Sequence, residues 1–118
     1  MPKRESAVSL CQMRDHAREA MDMIRGRFRG DLDADRMLNL ALVRLLEILG
    51  EAAGRVLPDD RGRYPQIPWP QLVSLRNRLI HGYDQVDFDV LWQILTQDLP
   101  PLVQELEAIL ASYPIDPA

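Results

Sequence analysis

The chain has 118 residues, 47% of them hydrophobic and 27% charged, which suits one soluble domain spanning 1–118. Its formal charge of −4 and pI near 5.1 exclude bulk attraction to nucleic acid or an anionic membrane. The deficit is local, however: residues 1–83 carry all 14 Lys and Arg against 11 acids, whereas 84–118 carry 7 acids and no base, so an anionic ligand is expected on the first part.

The single cysteine, Cys11, can form no intrachain disulfide and fits a reducing compartment. Two histidines, His16 and His81, and the absence of C-x-x-C leave no zinc-site pattern, so neither metal nor cofactor is expected. The N-terminal MPKRESAVSLCQMRD is too short in apolar residues for a signal peptide, and no run reaches the ~18 apolar residues of a membrane span. The expectation is a cytoplasmic protein with no membrane partner.

In chain order, Leu10, Met13, Ala17, Met21, Ile24 and Phe28 recur every three or four residues and predict a first helix over roughly 6–28. Gly30 should end it, and Asp31 or Asp33 should cap the next. The second helix, roughly 34–57, places Leu38, Leu42, Leu45, Leu49, Ala52 and Val56 on one stripe with Ala41 and Ile48 beside it. So wide an apolar arc requires more than one neighbour, which puts this helix near the centre of a bundle and makes it a candidate subunit interface. PDDRGRYPQIPWP, from Pro58 to Pro70, carries four prolines and a glycine and argues against regular structure. A third helix is expected over 70–81, closed by Gly82. Asp87 can cap a fourth, whose face is Phe88, Leu91, Trp92 and Leu95, and Asp98 can cap its continuation through Pro100 and Pro101 to Tyr113. No stretch alternates long enough to predict a strand. The fold class is all-α: an antiparallel four-helix bundle with the last helix broken at Pro100/Pro101.

The third helix holds the densest chemistry, LVSLRNRLIHGYD. On a helix turning ~100° per residue, Asn77 and His81 share a face, and Arg76 reaches them if all border one cleft. Arg76 offers a planar fork of donors to a phosphate, and histidine titrates near neutrality. Those are the parts of metal-independent RNA cleavage: a base frees the 2′-hydroxyl, an acid protonates the leaving oxygen, and a cation stabilises the phosphorane charge. One histidine per chain supplies half of this, so a symmetric dimer would supply the rest. The same residues also read as ordinary surface charges, with His81 favoured by a helix C-terminus.

The string RNRLIHGY, Arg-x4-His-x-Tyr, resembles the motif of HepT-type proteins in the HEPN superfamily. RLLEILGEAAGRV at 44–56, RYPQIPWPQLVSLRN at 63–77 and LWQILTQDLPPLVQEL at 91–106 are similar to the family's pattern as well, so the resemblance covers roughly 8–110. It implies a HEPN-like helical, dimeric, metal-independent endoribonuclease toxin of a type VII-like pair. Its partner would be a minimal nucleotidyltransferase antitoxin that transfers AMP from ATP to the motif tyrosine. Arg76 and His81 match the catalytic pair, Asn77 the polar residue after the arginine, and Tyr83 the AMP acceptor. Bulk and negative charge beside His81 would then repel an RNA phosphate. The alternative is a noncatalytic helical module that binds a nucleotide or docks the nucleotidyltransferase.

Other polar residues carry weaker expectations. Arg61, Arg63 and Arg78 are secondary candidates for phosphate contacts. Arg25, Arg27 and Arg29 are followed by Asp31, Asp33 and Asp35, and local charge compensation is expected. Trp69 and Trp92 are expected in the core, His16 in solvent and Cys11 as a small core residue. Arg44, Glu47, Glu51 and Arg55 form the polar stripe of the second helix, expected to be solvated or salt-bridged.

Overall fold

Apolar spacing at the start of the chain builds the first helix as expected but not to its expected end. In the computed structural model, which describes residues 4–81 and 85–112, α1 runs Arg4–Met23. Leu10, Met13, Ala17 and Ala20 line its buried face. The helix stops before Phe28 because Gly26 adopts φ +75°, a left-handed conformation that glycine enters without a Cβ penalty. Phe28 consequently leaves the apolar stripe and is 77% exposed. Gly30, the expected terminator, instead precedes a short α2 (Asp31–Ala34).

The cap of the next helix is Asp35 rather than Asp31 or Asp33. Its carboxylate accepts the Leu38 N–H at 3.0 Å and opens α3 (Arg36–Arg55), while Asp31 turns back to accept the Phe28 N–H. Leu38, Leu42, Leu45, Leu49, Ala52 and Val56 are all buried, and Val43, Leu46 and Ala53 join them. The buried Asn39 amide costs little because it donates to the Leu32 carbonyl at 2.8 Å and accepts from Arg36.

The proline-rich segment is more regular than its composition predicts. Pro58 starts α4 (Pro58–Arg63), where its missing N–H is harmless, with Asp59 and Asp60 in the first turn and Arg61 and Arg63 in the last, matching the helix dipole. Arg61 folds back on α3, donating from Nε to the Val56 carbonyl and from Nη2 to the Gly54 carbonyl at 2.9 and 2.8 Å. Trp69 is buried, as expected, and its indole N–H is shared by the Arg61 and Tyr64 carbonyls.

The predicted third helix is two pieces, α5 (Trp69–Val73) and α6 (Leu75–Leu79). Ser74 separates them: its hydroxyl donates to the Pro70 carbonyl four residues back, a bond that competes with helix propagation. The chain then forms a hairpin that no alternation announced. β1 (Ile80–His81) pairs antiparallel with β2 (Gln85–Val86), Ile80 opposite Val86 and His81 opposite Gln85. The helix therefore ends before Gly82, which lies outside the described residues.

Asp87 caps α7 (Phe88–Gln93) as expected. The last helix does not restart at Asp98; a π-helical turn over Ile94–Asp98 carries α7 into α8 (Leu99–Ala111), with the Leu99 N–H reaching back five residues to the Ile94 carbonyl. The prolines explain the wide turn. Pro100 and Pro101 have no N–H to give and their rings crowd carbonyls of the preceding turn, so widening relieves both problems without breaking the rod. Among the described residues, no helix is long and apolar enough to cross a membrane.

The result is the expected all-α class with a different subdivision. α1 packs along α3 and α8; α3 also touches α2, α5 and α6; α6 meets α7. At the α3–α5 crossing, Gly50 is essential to the approach: a Cβ there would lie 2.8 Å from the Leu72 carbonyl oxygen, with Leu75 also in contact. At Gly54, one turn on, a Cβ would meet nothing within 4 Å. The two glycines should therefore respond oppositely to alanine in chemical denaturation. Gly54→Ala should gain about 0.5–1 kcal/mol from helix propensity, and Gly50→Ala should lose about 1–3 kcal/mol from overpacking before that gain is subtracted.

Candidate active site

Arg76, Asn77 and Arg78 are carried by α6, which is pinned through the buried side chains of Leu75 and Leu79. Burying those two leaves the intervening residues at the surface. Arg76 leans toward α3, its Nε 3.9 Å from Glu47 Oε2, and remains 74% exposed. Arg78, two residues on and so ~200° around the helix, reaches the other flank and donates to Asp98 of the π turn at 3.3 Å. Arg76 is solvated and its contact with the partly buried Glu47 is long, so the pair is worth ~0–1 kcal/mol. Glu47 thus restrains the arginine without occupying its fork of donors, which is free to turn toward a phosphate. Asn77 is exposed.

His81 does not share a helix face with Asn77, because α6 closes at Leu79 and Ile80 has turned to extended geometry (φ −109°, ψ 121°). The β-branched Ile80 suits the strand, its pairing with Val86 fixes the register, and the Asp87 N–H donates to the Leu79 carbonyl at 2.8 Å. This puts His81 on the hairpin with 62% of its side chain exposed and its Nε2 3.7 Å from Asp87 Oδ2. The other oxygen of Asp87 accepts the Asp89 and Val90 N–H groups that start α7. Tyr83, the proposed acceptor, lies outside the described residues.

The secondary candidates have structural partners. Arg61 is occupied by the carbonyls that end α3, Arg63 lies 4.0 Å from the buried carboxylate of Asp60, and Arg78 is held by Asp98. Arg27 and Arg29 pair with Asp35 and Asp33, as the expected local compensation requires, but Arg25 pairs with the preceding Asp22, Asp31 instead accepts the Phe28 N–H, and Arg29 also reaches the distant Asp89. The hydrogen bonds that Arg29 donates to the carboxylates of Asp89 and Asp33 raise its pKa further above its ordinary value. His16 is half-buried, its Nδ1 2.7 Å from the Gln12 carbonyl, rather than fully solvated.

Two carboxylates stand beside the motif residues. From the sequence Glu47 reads first as part of a solvated or salt-bridged stripe, with positioning of the motif arginine as the less favoured alternative, and Asp87 reads as a cap alone. A signal existed for each: Glu47 is an acid on an otherwise greasy helix, and Asp87 follows the motif closely. A cleft of about 520 Å³ between α5, α6 and α8 is lined by Ile67, Leu72, Leu75, Leu99, Leu102 and Arg78, among others, but not by Arg76, Asn77 or His81. The candidate chemistry therefore stands on an open surface. Among the described residues, no three His, Cys, Asp or Glu side chains converge as metal ligands would.

Comparison with known proteins converges on one family. The family described as Ribonuclease HepT-like matches residues 13–109. "Putative RNase MJ1380" of Methanocaldococcus jannaschii is 32% identical over 109 residues, covering 92% of this chain and all of its own. "Probable ribonuclease HepT" of Thermococcus cleftensis is 37% identical over 79 residues, 67% of this chain and 72% of its own. "Putative RNase TTE0752" of Caldanaerobacter subterraneus is 30% identical over 90 residues, 76% of this chain and 80% of its own. No solved structure matches the chain. A helical fold that carries the Arg-x4-His-x-Tyr string and matches this family over residues 13–109 belongs to the HepT-like ribonucleases.

Proposed function

We propose that the chain is a metal-independent endoribonuclease toxin in which Arg76 binds the scissile phosphate, His81 transfers protons and Asn77 orients substrate. The observation that carries this is the placement of the motif: Arg76 on α6 and His81 on the adjoining strand both stand in solvent, each facing a carboxylate from another element. An open surface admits a polymer, which a closed pocket would not. His81 as base removes the 2′-hydroxyl proton, the 2′-oxygen attacks the adjacent phosphorus, and the 5′-oxygen leaves with a proton. The products are a 2′,3′-cyclic phosphate and a 5′-hydroxyl, and Arg76 balances the charge that builds on the phosphoryl oxygens between them.

The leaving oxygen needs an acid, and a second copy of the chain provides His81 again. The apolar arc of α3 is spent inside the bundle, so the residues it leaves for a twofold contact are Met37 and Leu40, 82% and 52% exposed. In this proposal the protein acts in the cytoplasm, and a nucleotidyltransferase antitoxin neutralises it by AMP transfer to Tyr83.

His81→Ala should abolish RNA cleavage and growth arrest while leaving the far-ultraviolet circular dichroism unchanged; retained cleavage would sink the proposal. Harmless expression of the wild-type chain with intact RNA would favour a docking module instead. Incubation with the antitoxin and ATP should add the mass of AMP, and Tyr83→Phe should prevent it. A Met37→Glu/Leu40→Glu double variant should elute as a monomer and lose cleavage with its helical content intact; an active monomer would exclude the shared site.

A further inference from the structure

We infer that Asp87 is a positioning residue for His81, and that Nδ1 is the imidazole nitrogen that meets the RNA. The inference rests on the ribonuclease proposal, with His81 as the proton-transfer group. Asp87 is held at three points. Its backbone N–H donates to the Leu79 carbonyl at 2.8 Å, tying it to the end of α6. Its Oδ1 accepts the Asp89 and Val90 N–H groups at 3.1 Å each, which removes the freedom of the carboxylate to rotate. Its Oδ2 is thereby turned to His81 Nε2 at 3.7 Å, an ion-pair separation that a small side-chain movement closes to a hydrogen bond.

The hairpin holds the other partner. His81 lies opposite Gln85 and Ile80 opposite Val86, so the backbone of the histidine is registered against the strand that leads directly into Asp87. Leu79 and Leu91 are both fully buried, which seats α6 and α7 on the same core. A carboxylate facing one ring nitrogen selects the neutral tautomer that carries its proton there. With the proton on Nε2, the lone pair is on Nδ1. Nδ1 takes the 2′-hydroxyl proton, and the imidazolium so formed keeps its Nε2–H toward Asp87, whose negative charge balances it. In the partner protomer a second His81, which starts as the imidazolium, gives its Nδ1 proton to the leaving oxygen and ends neutral, so that the pair has exchanged protonation states after one cleavage. No group beyond substrate and the two histidines is needed.

Capping and positioning can be separated, because Asn and Ser cap helices as well as Asp does but carry no charge. Asp87→Asn and Asp87→Ser should keep the melting temperature and the affinity for a 2′-deoxy, uncleavable oligonucleotide, while kcat falls about tenfold or more, a share of the ~10²–10⁴ that proton transfer contributes. Asp87→Ala should lose stability as well. If both capping variants turn over RNA at the wild-type rate while His81→Ala is dead, Asp87 is only a cap and the inference fails with the ribonuclease proposal intact. If His81→Ala still cleaves, it is the proposal that fails. Side-chain ¹⁵N shifts of His81 give a readout independent of turnover: the neutral wild-type ring should be protonated at Nε2, with the Nδ1–H form rising in Asp87→Asn. A wild-type ring protonated at Nδ1 overturns the inference whatever the kinetics.

Discussion

Close seating of α5 and α6 on α3 governs the geometry of everything downstream. The Leu72 carbonyl sits where a side chain at Gly50 would be, and Leu72, Leu75 and Leu79 bury their side chains in the same core as Leu46 and Leu49. Each fully buried leucine is worth about 1.5–3 kcal/mol relative to exposure, enough to override the weak intrinsic helicity of two five-residue helices. Once α6 is pressed into place, Arg76 has to lean toward Glu47 and Arg78 toward Asp98. The strand that leaves α6 then delivers His81 to the hairpin.

The charge distribution follows from the same packing. A chain with fourteen basic residues could have offered a broad cationic surface. Most of the arginines instead face acids or carbonyls. Arg29 bridges Asp33 and Asp89 and lies 6.0 Å from the Phe88 ring centroid, which ties the loop after α1 to the start of α7. Arg61 closes the end of α3, and Arg78 secures the π turn. Arg76 is the motif arginine, and its only ion-pair contact among the described residues is a loose one at 3.9 Å. In the proposed ribonuclease, selectivity for a phosphate at this point would come from neutralising the arginines elsewhere rather than from accumulating positive charge.

Carboxylates do two kinds of work in this fold, and Asp87 combines them. As a cap it satisfies N–H groups that the first turn of α7 cannot, and as a neighbour of His81 it brings negative charge to the histidine that would move protons. Sharing one residue between helix initiation and the site couples the hairpin to the bundle, so the geometry of the histidine depends on α7 as much as on α6. The π turn is a comparable economy, since it lets two adjacent prolines reside in a continuous rod while presenting Asp98 to Arg78.

What the sequence determined by itself is whatever repeats locally. The stripe Leu38, Leu42, Leu45, Leu49, Ala52 and Val56, the burial of Trp69, the cap at Asp87 and the Arg-x4-His-x-Tyr spacing were all legible, because helical period, capping chemistry and motif spacing are written within a few residues. The break at Ser74, the early stop at Gly26 and α4 within the proline-rich segment were not, because each reflects one backbone choice among several that local propensity permits. Least legible was the surrounding of the site. His81 went to a strand because Ile80 and Asp87 found partners across a hairpin, and Arg76 met Glu47 because two helices cross. Contacts such as Arg29–Asp89, Arg78–Asp98 and Arg76–Glu47 join residues far apart in the chain. Only the tertiary structure decides these, because which charges meet depends on how the buried faces stack, and the stacking is a property of all the elements together.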